Sequence, residues 1–417
     1  MSMKKLTNDV VIIGAGAAGM FAAIHAAMNG LQVLLLDKNE RNGKKLAITG
    51  KGRCNVTNNC SPAEVLKNVP KNGKFLYSAV FRFPPESTMK FFEENGCPLK
   101  TERGSRVFPV SDHSADIIYT LEKLMDQYHV ERRTERVTGI FVQAGRVAGV
   151  KTESGIISAQ RVLLCTGGAS YPLTGSTGDG YKMARELGHT VTPPTGSLVP
   201  LTAEGDCALM QGLSLRNTEL RLLNQKGKTV YRDFGELLFT HFGLSGPMAL
   251  SASAHMKPGE HYRVVLDLKP ALDEQKLDAR FLRDFEKYAN RSMENAVADL
   301  YPHSMIPVIL RRSGIDPEIK ANSLTKKLRR NLLEQTKAFS IEVTGTRPVE
   351  EAIITRGGVS VKEINPSTME SKRIKGLYFA GEIIDCDAYT GGFNLQIAWS
   401  TAYCAVNGIL EDMRVCQ

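Results

Sequence analysis

The 417-residue chain predicts an α/β protein: a Rossmann-like dinucleotide-binding domain, discontinuous in sequence and interrupted by a β-rich and then a helical insertion. Three observations carry that prediction. A strand, glycine turn, helix and strand open the chain. A second strand, glycine-acid turn and helix close it. Between residues 196 and 337 the apolar pattern changes from strand-like to helical.

Val10–Ile13 is a short apolar strand, and Gly14-Ala-Gly16-Ala-Ala-Gly19 follows it. Gly14 permits a tight turn, Gly16 lets the backbone approach a pyrophosphate, and Gly19 lets the next helix lie close to the strand. That helix points its free N–H groups at the phosphate. Val33–Leu36 is the second strand. Asp37 closes it at roughly the 20-residue spacing of a carboxylate that binds a ribose hydroxyl. A glycine fingerprint alone is a weak signal. Here it has the strand before it, the helix after it and the acid beyond. It does not separate FAD from NAD(P).

Hydrophobic residues make up 42% and charged residues 23%, as in ordinary globular proteins. The net charge of +9 suits an anionic cofactor or substrate and is too diffuse to argue for nucleic acid. The densest basic run, Lys326-Lys327-Leu-Arg329-Arg330, reads as a solvated helix face. No segment reaches the roughly 18 apolar residues of a membrane span, and the N-terminal apolar stretch lacks a signal-peptide cleavage site. The eight cysteines are scattered without a CxxC, which predicts reduced thiols, a cytoplasmic location and no metal site.

The loop from Asn42 to Asn58 is rich in glycine, cations and short polar side chains, suited to wrapping a pyrophosphate and a flavin edge. Cys54 and Cys60 are spaced Cys-x5-Cys, not the Cys-x4-Cys of flavin disulfide reductases. Cys54 alone, packed near the cofactor, is the better reading. Residues 62–134 read as a mostly helical excursion, with helices at Ser87–Asn95 and Ala115–Tyr128 and a loop over 104–109. Residues 136–165 read as a β-meander whose last strand runs into Thr166-Gly167-Gly168, where the chain passes tightly beside the nucleotide. Gly175-Ser-Thr-Gly178-Asp179-Gly180 opens another helix.

Pro193-Pro194 marks a boundary, so the nucleotide domain is expected over 1–194 and 345–417. The β-rich insertion is expected over 195–270, completed by 338–350, and the helical subdomain over 271–337. Leu277, Phe281, Phe285 and Tyr288 share one helix face. Within the insertion, His241 is a candidate acid or base near neutral pH. Ser245 lacks a nucleophile-elbow context. Gly376–Ala380 is a buried strand, followed by Gly381-Glu382, Asp385, Thr390-Gly391-Gly392 and a helix to about Val406. A late strand, glycine-acid and helix is a second nucleotide half-site. The acid can bond ribityl hydroxyls, and the helix N-terminus can face a flavin pyrimidine. That element selects FAD. No second GxGxxG exists for a dedicated NAD(P) domain, so NAD(P)H would visit transiently.

Residues 43–58, Thr166–Pro172, Phe239–Pro247 and Gly381–Gln396 together resemble signatures of the YhiN-type bacterial flavoproteins, NAD(P)/FAD-dependent dehydrogenases related to a flavoenzyme of bile-acid operons. The resemblance runs from about residue 9 to 405. It implies a discontinuous two-dinucleotide-binding FAD domain with an inserted β-barrel and helical subdomain, and FAD bound without covalent attachment. It implies that Gly14, Gly16, Gly19 and Asp37 hold the ADP half and that Arg53, Cys54 and Asn55 approach the cofactor. It also implies that Thr166–Gly168 flank FAD, with Gly381, Glu382, Asp385, Asn394, Leu395, Gln396 and Ile397 at the ribityl chain and ring. Ala17, Ala18, Lys38, Lys45, Gly52 and Val137 complete the expected cofactor set, with Asp179, Gly391 and Gly392. Cys54, Tyr171 and His241 are the proton-donor candidates.

The expected function is hydride transfer between flavin N5 and a small organic substrate lying between the FAD domain and the insertion. Reduction of a C=C conjugated to a carbonyl, with NAD(P)H as donor, is one form. An amine or hydroxyl oxidase re-oxidised by O2 is another. A flavin-dependent RNA modifier is a third reading, resting on the net charge; the insertion carries no RNA-binding signature. A non-catalytic flavin-binding protein is a fourth. The oligomeric state has no signal in the sequence.

Overall fold

The computed structural model describes residues 8–257 and 259–415. Cys416 and the outermost ends of the expected nucleotide domain lie outside them. Two compact units divide the chain, one running to Ser197 and resuming at Val349, the other spanning Leu198–Pro348.

The first unit is built on a five-stranded parallel sheet in the order Leu377–Phe379, Val162–Leu164, Val10–Ile13, Val33–Asp37, Glu131–Thr134. The central strands are buried on both faces, which is why they read as unbroken apolar runs. The helix Ala17–Met28 packs against the last helix, Phe393–Val415. The turn between first strand and first helix has no spare volume. A Cβ on Gly19 would lie 1.8 Å from the Gly14 oxygen, and one on Gly14 would lie 2.5 Å from the Cys165 oxygen. An aromatic cluster of Phe21, Phe83, Phe91, Phe92 and Trp399 fills the space beneath, with Trp399 Nε1 donating to the Val56 oxygen at 2.9 Å.

The expected excursion over 62–134 is corrected in part. Pro62–Lys67, Tyr77–Arg82, Pro85–Glu94 and Ser114–Gln127 are helices. Residues 104–109, expected as a loop, instead hold the strand Arg106–Pro109. It pairs antiparallel with Leu99–Glu102 and Thr57–Asn58. Gly104 and Ser105, both at positive φ, let the chain reverse in the three residues 103–105. The meander follows as Val137–Gln143, Arg146–Thr152 and Ile156–Ser158.

Pro193-Pro194 does not break the chain. It lies inside the strand Val191–Ser197, which pairs with Ile354–Val359. The register shifts between Thr192 and Thr195, so the two prolines sit at a bulge where no N–H is required. The last helix continues past Val406 to Val415 because Gly408 serves close packing: a Cβ there would meet the Thr368 oxygen at 2.5 Å.

The second unit contains a closed six-stranded barrel ordered Leu201–Ala203, Gly243–Ser245, Thr229–Thr240, Ser214–Asn224, Tyr262–Asp267, Phe339–Thr346. Its helices include Glu274–Lys287, Ile306–Ser313 and Lys326–Lys337. Leu277, Phe281 and Phe285 are buried in its core, whereas Tyr288 lies half-buried at the helix end beside Lys287 and Arg291. In the basic run, Lys326, Lys327 and Arg330 are exposed, as on a solvated helix face, whereas Arg329 is mostly buried against Asp278. No described helix is long and apolar enough to cross a membrane, and the seven described cysteines are free thiols.

Replacing Gly19 by Ala should cost about 3 kcal/mol, read from urea unfolding; an unchanged midpoint would contradict the close approach. A second expectation concerns acid. Glu363 accepts from the Thr190 N–H at 2.8 Å and from Arg373 at 2.6 Å. Burial pushes its carboxyl up, but Arg373 and Thr190 outweigh burial and bring it down from 4.5 to about 2. Its contribution is therefore complete above the unfolded value of 4.5 and lost as pH falls toward 2. Glu363→Gln should flatten the loss of stability between pH 7 and 3 by roughly 2 kcal/mol. Parallel pH profiles for the two proteins would refute this.

Candidate functional site

The carboxyl ends of the parallel strands open onto one cleft in the first unit, the position where doubly wound sheets hold nucleotides. Gly14, Gly16, Ala17 and Ala18 form its floor. A Cβ on Gly16 would meet nothing within 4 Å, so that position faces the open cleft. The N–H groups of Ala17, Ala18 and Gly19 precede the first helical hydrogen bond, Met20 N to the Gly16 oxygen, and are free to meet an anion. Asp37 lines the cleft and orders it: Oδ2 accepts from the Ala15 N–H at 2.6 Å and Oδ1 from the Asn39 N–H at 2.7 Å.

Lys38 reaches across to Asp179 at 2.7 Å, and Arg136 stands 3.6 Å from the same carboxylate. Burial raises the Asp179 carboxyl and Lys38 lowers it, with a net shift downward. Val137 lies beside them. In the middle of the cleft, Lys45 Nζ donates to both oxygens of Glu382, at 2.8 and 3.0 Å, and to Ser170 Oγ at 2.7 Å. Glu382 also accepts from the Thr355 N–H at 2.8 Å. Thr166 and Gly167 line the next stretch, and Thr166 Oγ1 is buried with no hydrogen-bond partner. Gly381, Asn394, Leu395 and Ile397 complete the wall. Asn394 holds the backbone of Ala388 through both its amide atoms, each at 2.8 Å.

These features fit FAD. A glycine facing open space, unpaired helix N–H groups, a ribose-distance carboxylate and an orphaned threonine hydroxyl are what a dinucleotide would complete.

Other expected cofactor residues do not line the cleft. Gly19 lies behind the turn as a packing residue. Gly168 has no room for a Cβ, which would lie 2.3 Å from Thr355 Oγ1 and 2.7 Å from Glu382 Oε1. Gly52 and Arg53 are not among the lining residues. Arg53 lies over the Phe108 ring and bonds Glu102 and Asp112. Cys54 is fully buried, and burial pushes its thiol up to about 12. Asn55 is half-buried, with its Oδ1 atom buried and unpartnered. Asp385, expected at the ribityl chain, instead pairs with Lys71 at 2.7 Å and accepts from Thr192 at 2.8 Å. The Gly391 oxygen accepts from Asn58 at 2.9 Å, and Gly392 is a glycine because a Cβ would strike the Thr57 oxygen at 2.3 Å. Gln396 is corrected to a core residue. Its amide bonds Thr57, Thr88, Ser400 and the Phe83 oxygen, leaving no capacity for a ligand.

Two of the proton-donor candidates, Cys54 and Tyr171, do not line the cleft. Cys54 is sealed. Tyr171 is half-buried at positive φ, its N–H bonded to the Glu350 oxygen. His241 belongs to the second unit, exposed in the turn between two barrel strands. The sequence reading missed Arg136 and Glu135, which the edge strand Glu131–Thr134 delivers to the cleft, and Ile353 and Ile354 beside Thr355.

The sequence profile of the HI0933-like protein Rossmann domain family matches residues 8–408. A 3-dehydro-bile acid delta(4,6)-reductase of Clostridium scindens is 30% identical over 97% of this chain and 99% of its own length. A ribosomal RNA dihydrouridine synthase of Escherichia coli is 30% identical over 96% and 98%. Among solved structures, a 3-ketosteroid delta1-dehydrogenase of Sterolibacterium denitrificans matches with a TM-score of 0.55 at 14% identity, covering 98% of this chain and all of that one. At that identity the likeness shows the fold alone.

Gly16→Ala should leave the unfolding midpoint of the cofactor-free protein within about 0.5 kcal/mol. The same change should weaken FAD binding at least tenfold, because the added methyl enters the cleft. Equal FAD affinity in a fluorescence titration would place the cofactor elsewhere.

Proposed function

The chain belongs to the HI0933-like family and is an FAD-dependent oxidoreductase, and from that premise we propose that it reduces a C=C bond conjugated to a carbonyl, with NAD(P)H as electron donor. The observation that carries this is the pair of full-length relatives. A delta(4,6)-reductase of a 3-dehydro-bile acid and a dihydrouridine synthase act on different molecules. In a 3-oxo-4,6-diene and in a uracil ring, the bond that those names say is saturated is conjugated to a carbonyl. FAD, when bound, supplies hydride at N5, which suits a polarised alkene. The chain's own part is to hold and orient. The first helix N-terminus and Gly16 would take the pyrophosphate, and Asp37 the adenosine ribose. Lys45 with Glu382 would fix the ribityl and ring end, and Leu395 and Ile397 would exclude water there.

The test separates the two half-reactions. Protein bleached without oxygen by NADPH or NADH is mixed with a 4,6-dien-3-one steroid. The flavin absorbance should return, with saturation of the steroid at matching stoichiometry. Failure of both nicotinamides to bleach the flavin would refute the donor. Reoxidation by O2 alone would favour an oxidase.

A second reading places the C=C in a uracil of RNA. The relatives named for ribosomal RNA favour it. Unmodified ribosomal RNA fragments should then bind with a steep inverse dependence on salt and reoxidise the reduced flavin. A flat, weak salt response would reject this reading.

A further inference from the structure

The wall of the cleft is not held equally along its length. At the Asp37 end, residues 171–178 cross as a strap and lead into the helix Asp179–Glu186. Thr174, Gly175 and Ser176 line the cleft on one side of the strap. Pro172, Leu173 and Thr177 line an open hollow on the other. Lys38, Asn39, Arg136 and Gly175 border both spaces, so a single layer of residues divides them there.

Little holds the strap itself. Its leucine, Leu173, is 94% exposed and packs on nothing. From Pro172 to Thr177, two hydrogen bonds reach the rest of the chain among the described residues. The Thr174 oxygen accepts from Asn39 Nδ2 at 3.3 Å, and Thr177 Oγ1 accepts from Lys38 Nζ at 2.5 Å. The other bonds close turns within the strap, such as Thr174 N to the Tyr171 oxygen and Gly175 N to the Pro172 oxygen. A segment with so few buried apolar contacts opens locally at low cost. Gly175 and Gly178, both at positive φ, bound its last turn and can absorb the change in backbone angle.

The ion pair at the end of the strap is the strong tie. Lys38 Nζ meets Asp179 Oδ2 at 2.7 Å, with side-chain exposures of 26% and 30%. Arg136 stands 3.6 Å from the other oxygen of Asp179. Burial raises the Asp179 carboxyl, but Lys38, Thr177 and Arg136 outweigh burial, so the group is ionised at neutral pH. Lys38 thus joins the end of the strand Val33–Asp37 to both Thr177 and Asp179, from one wall of the cleft to the other.

We propose that residues 171–178 are a strap that gates FAD at the adenosine end of the cleft, and that Lys38 latches it shut through Asp179 and Thr177. Lys38 and Asp179 then retain the cofactor by holding the strap, not by touching FAD. Asn39 is the second catch. The partners in the latch all belong to the chain, so it closes with or without FAD, and its opening limits both entry and release. This role is independent of which substrate is reduced and rests only on FAD occupying the cleft.

FAD exchange measures the latch. Association is followed by flavin fluorescence with cofactor-free protein, and release by the fluorescence that free FAD regains when the holoprotein is diluted. Lys38→Met and Asp179→Asn remove opposite charges from one pair. Each should raise the association rate and the release rate together, by about tenfold, with a much smaller change in FAD affinity. A lysine that bound the FAD phosphates would give slower association and faster release in Lys38→Met, and Asp179→Asn would move association the other way. That pattern, or unchanged rates in both variants, would overturn the latch. Asn39→Ala loosens the second catch. It should shift both rates in the same direction by a smaller factor, and it answers should either latch variant not fold; wild-type rates in it would then overturn the latch. A wild-type protein that takes up no FAD would bring down the cofactor assignment and the strap's role with it, an outcome distinct from altered exchange in the variants.

Discussion

One carboxylate joins the stretches of chain that surround the cleft. Glu382 accepts from Lys45 on the glycine-rich loop, from Ser170 beyond the Thr166-Gly-Gly turn and from the Thr355 N–H on the strand Ile354–Val359. Each partner comes from a segment far away in sequence. The pair is mostly shielded, with side-chain exposures of 21% for Lys45 and 16% for Glu382. Such a pair needs further partners: Lys45 also donates to Ser170, and Glu382 Oε1 accepts from Ser170 and Thr355, while Oε2 meets only Lys45 and keeps capacity for a ligand. Losing one partner would leave a charge facing the site with nothing opposite. The same knot explains Gly168, whose neighbours leave no space for a side chain.

The cleft grades in character along its length. At the Asp37 end the lining is charged: Lys38, Arg136, Asp179 and the free N–H groups of the first helix. This composition suits a ribose and a pyrophosphate, which need hydrogen bonds and positive potential. At the other end, Leu395, Ile397 and Ala398 line the wall beside Cys386. A flat, apolar ring that must react away from water suits that surface. The polarity gradient, and not any one contact, would give a bound dinucleotide its direction.

Much of this was legible in the sequence. The opening strand–turn–helix was, because Gly14 and Gly19 answer a steric demand that only glycine meets. The meander was legible from its period-two pattern. Three features were not. Glu131–Thr134 is an exposed edge strand of charged residues, so no apolar period marks it, and Arg136 went unseen with it. The prolines at 193 and 194 looked like a break and lie in a strand bulge. Gly392, Arg53 and Gln396 sit in motifs that read as ligand contacts, yet Gly392 and Gln396 pack on Thr57 and the core, and Arg53 pairs with Asp112 and Glu102. Spacing along the chain shows that a residue is constrained; it does not show whether a ligand or another segment constrains it.

Everything proposed for the cleft requires FAD to occupy it without a covalent bond. The most direct measurement is the visible spectrum of the purified protein, followed by acid release and identification of the chromophore. The prediction is an oxidised-flavin spectrum and one unmodified FAD released per chain. A colourless protein that cannot be reconstituted with FAD, or a flavin that stays with the precipitated chain, would contradict it.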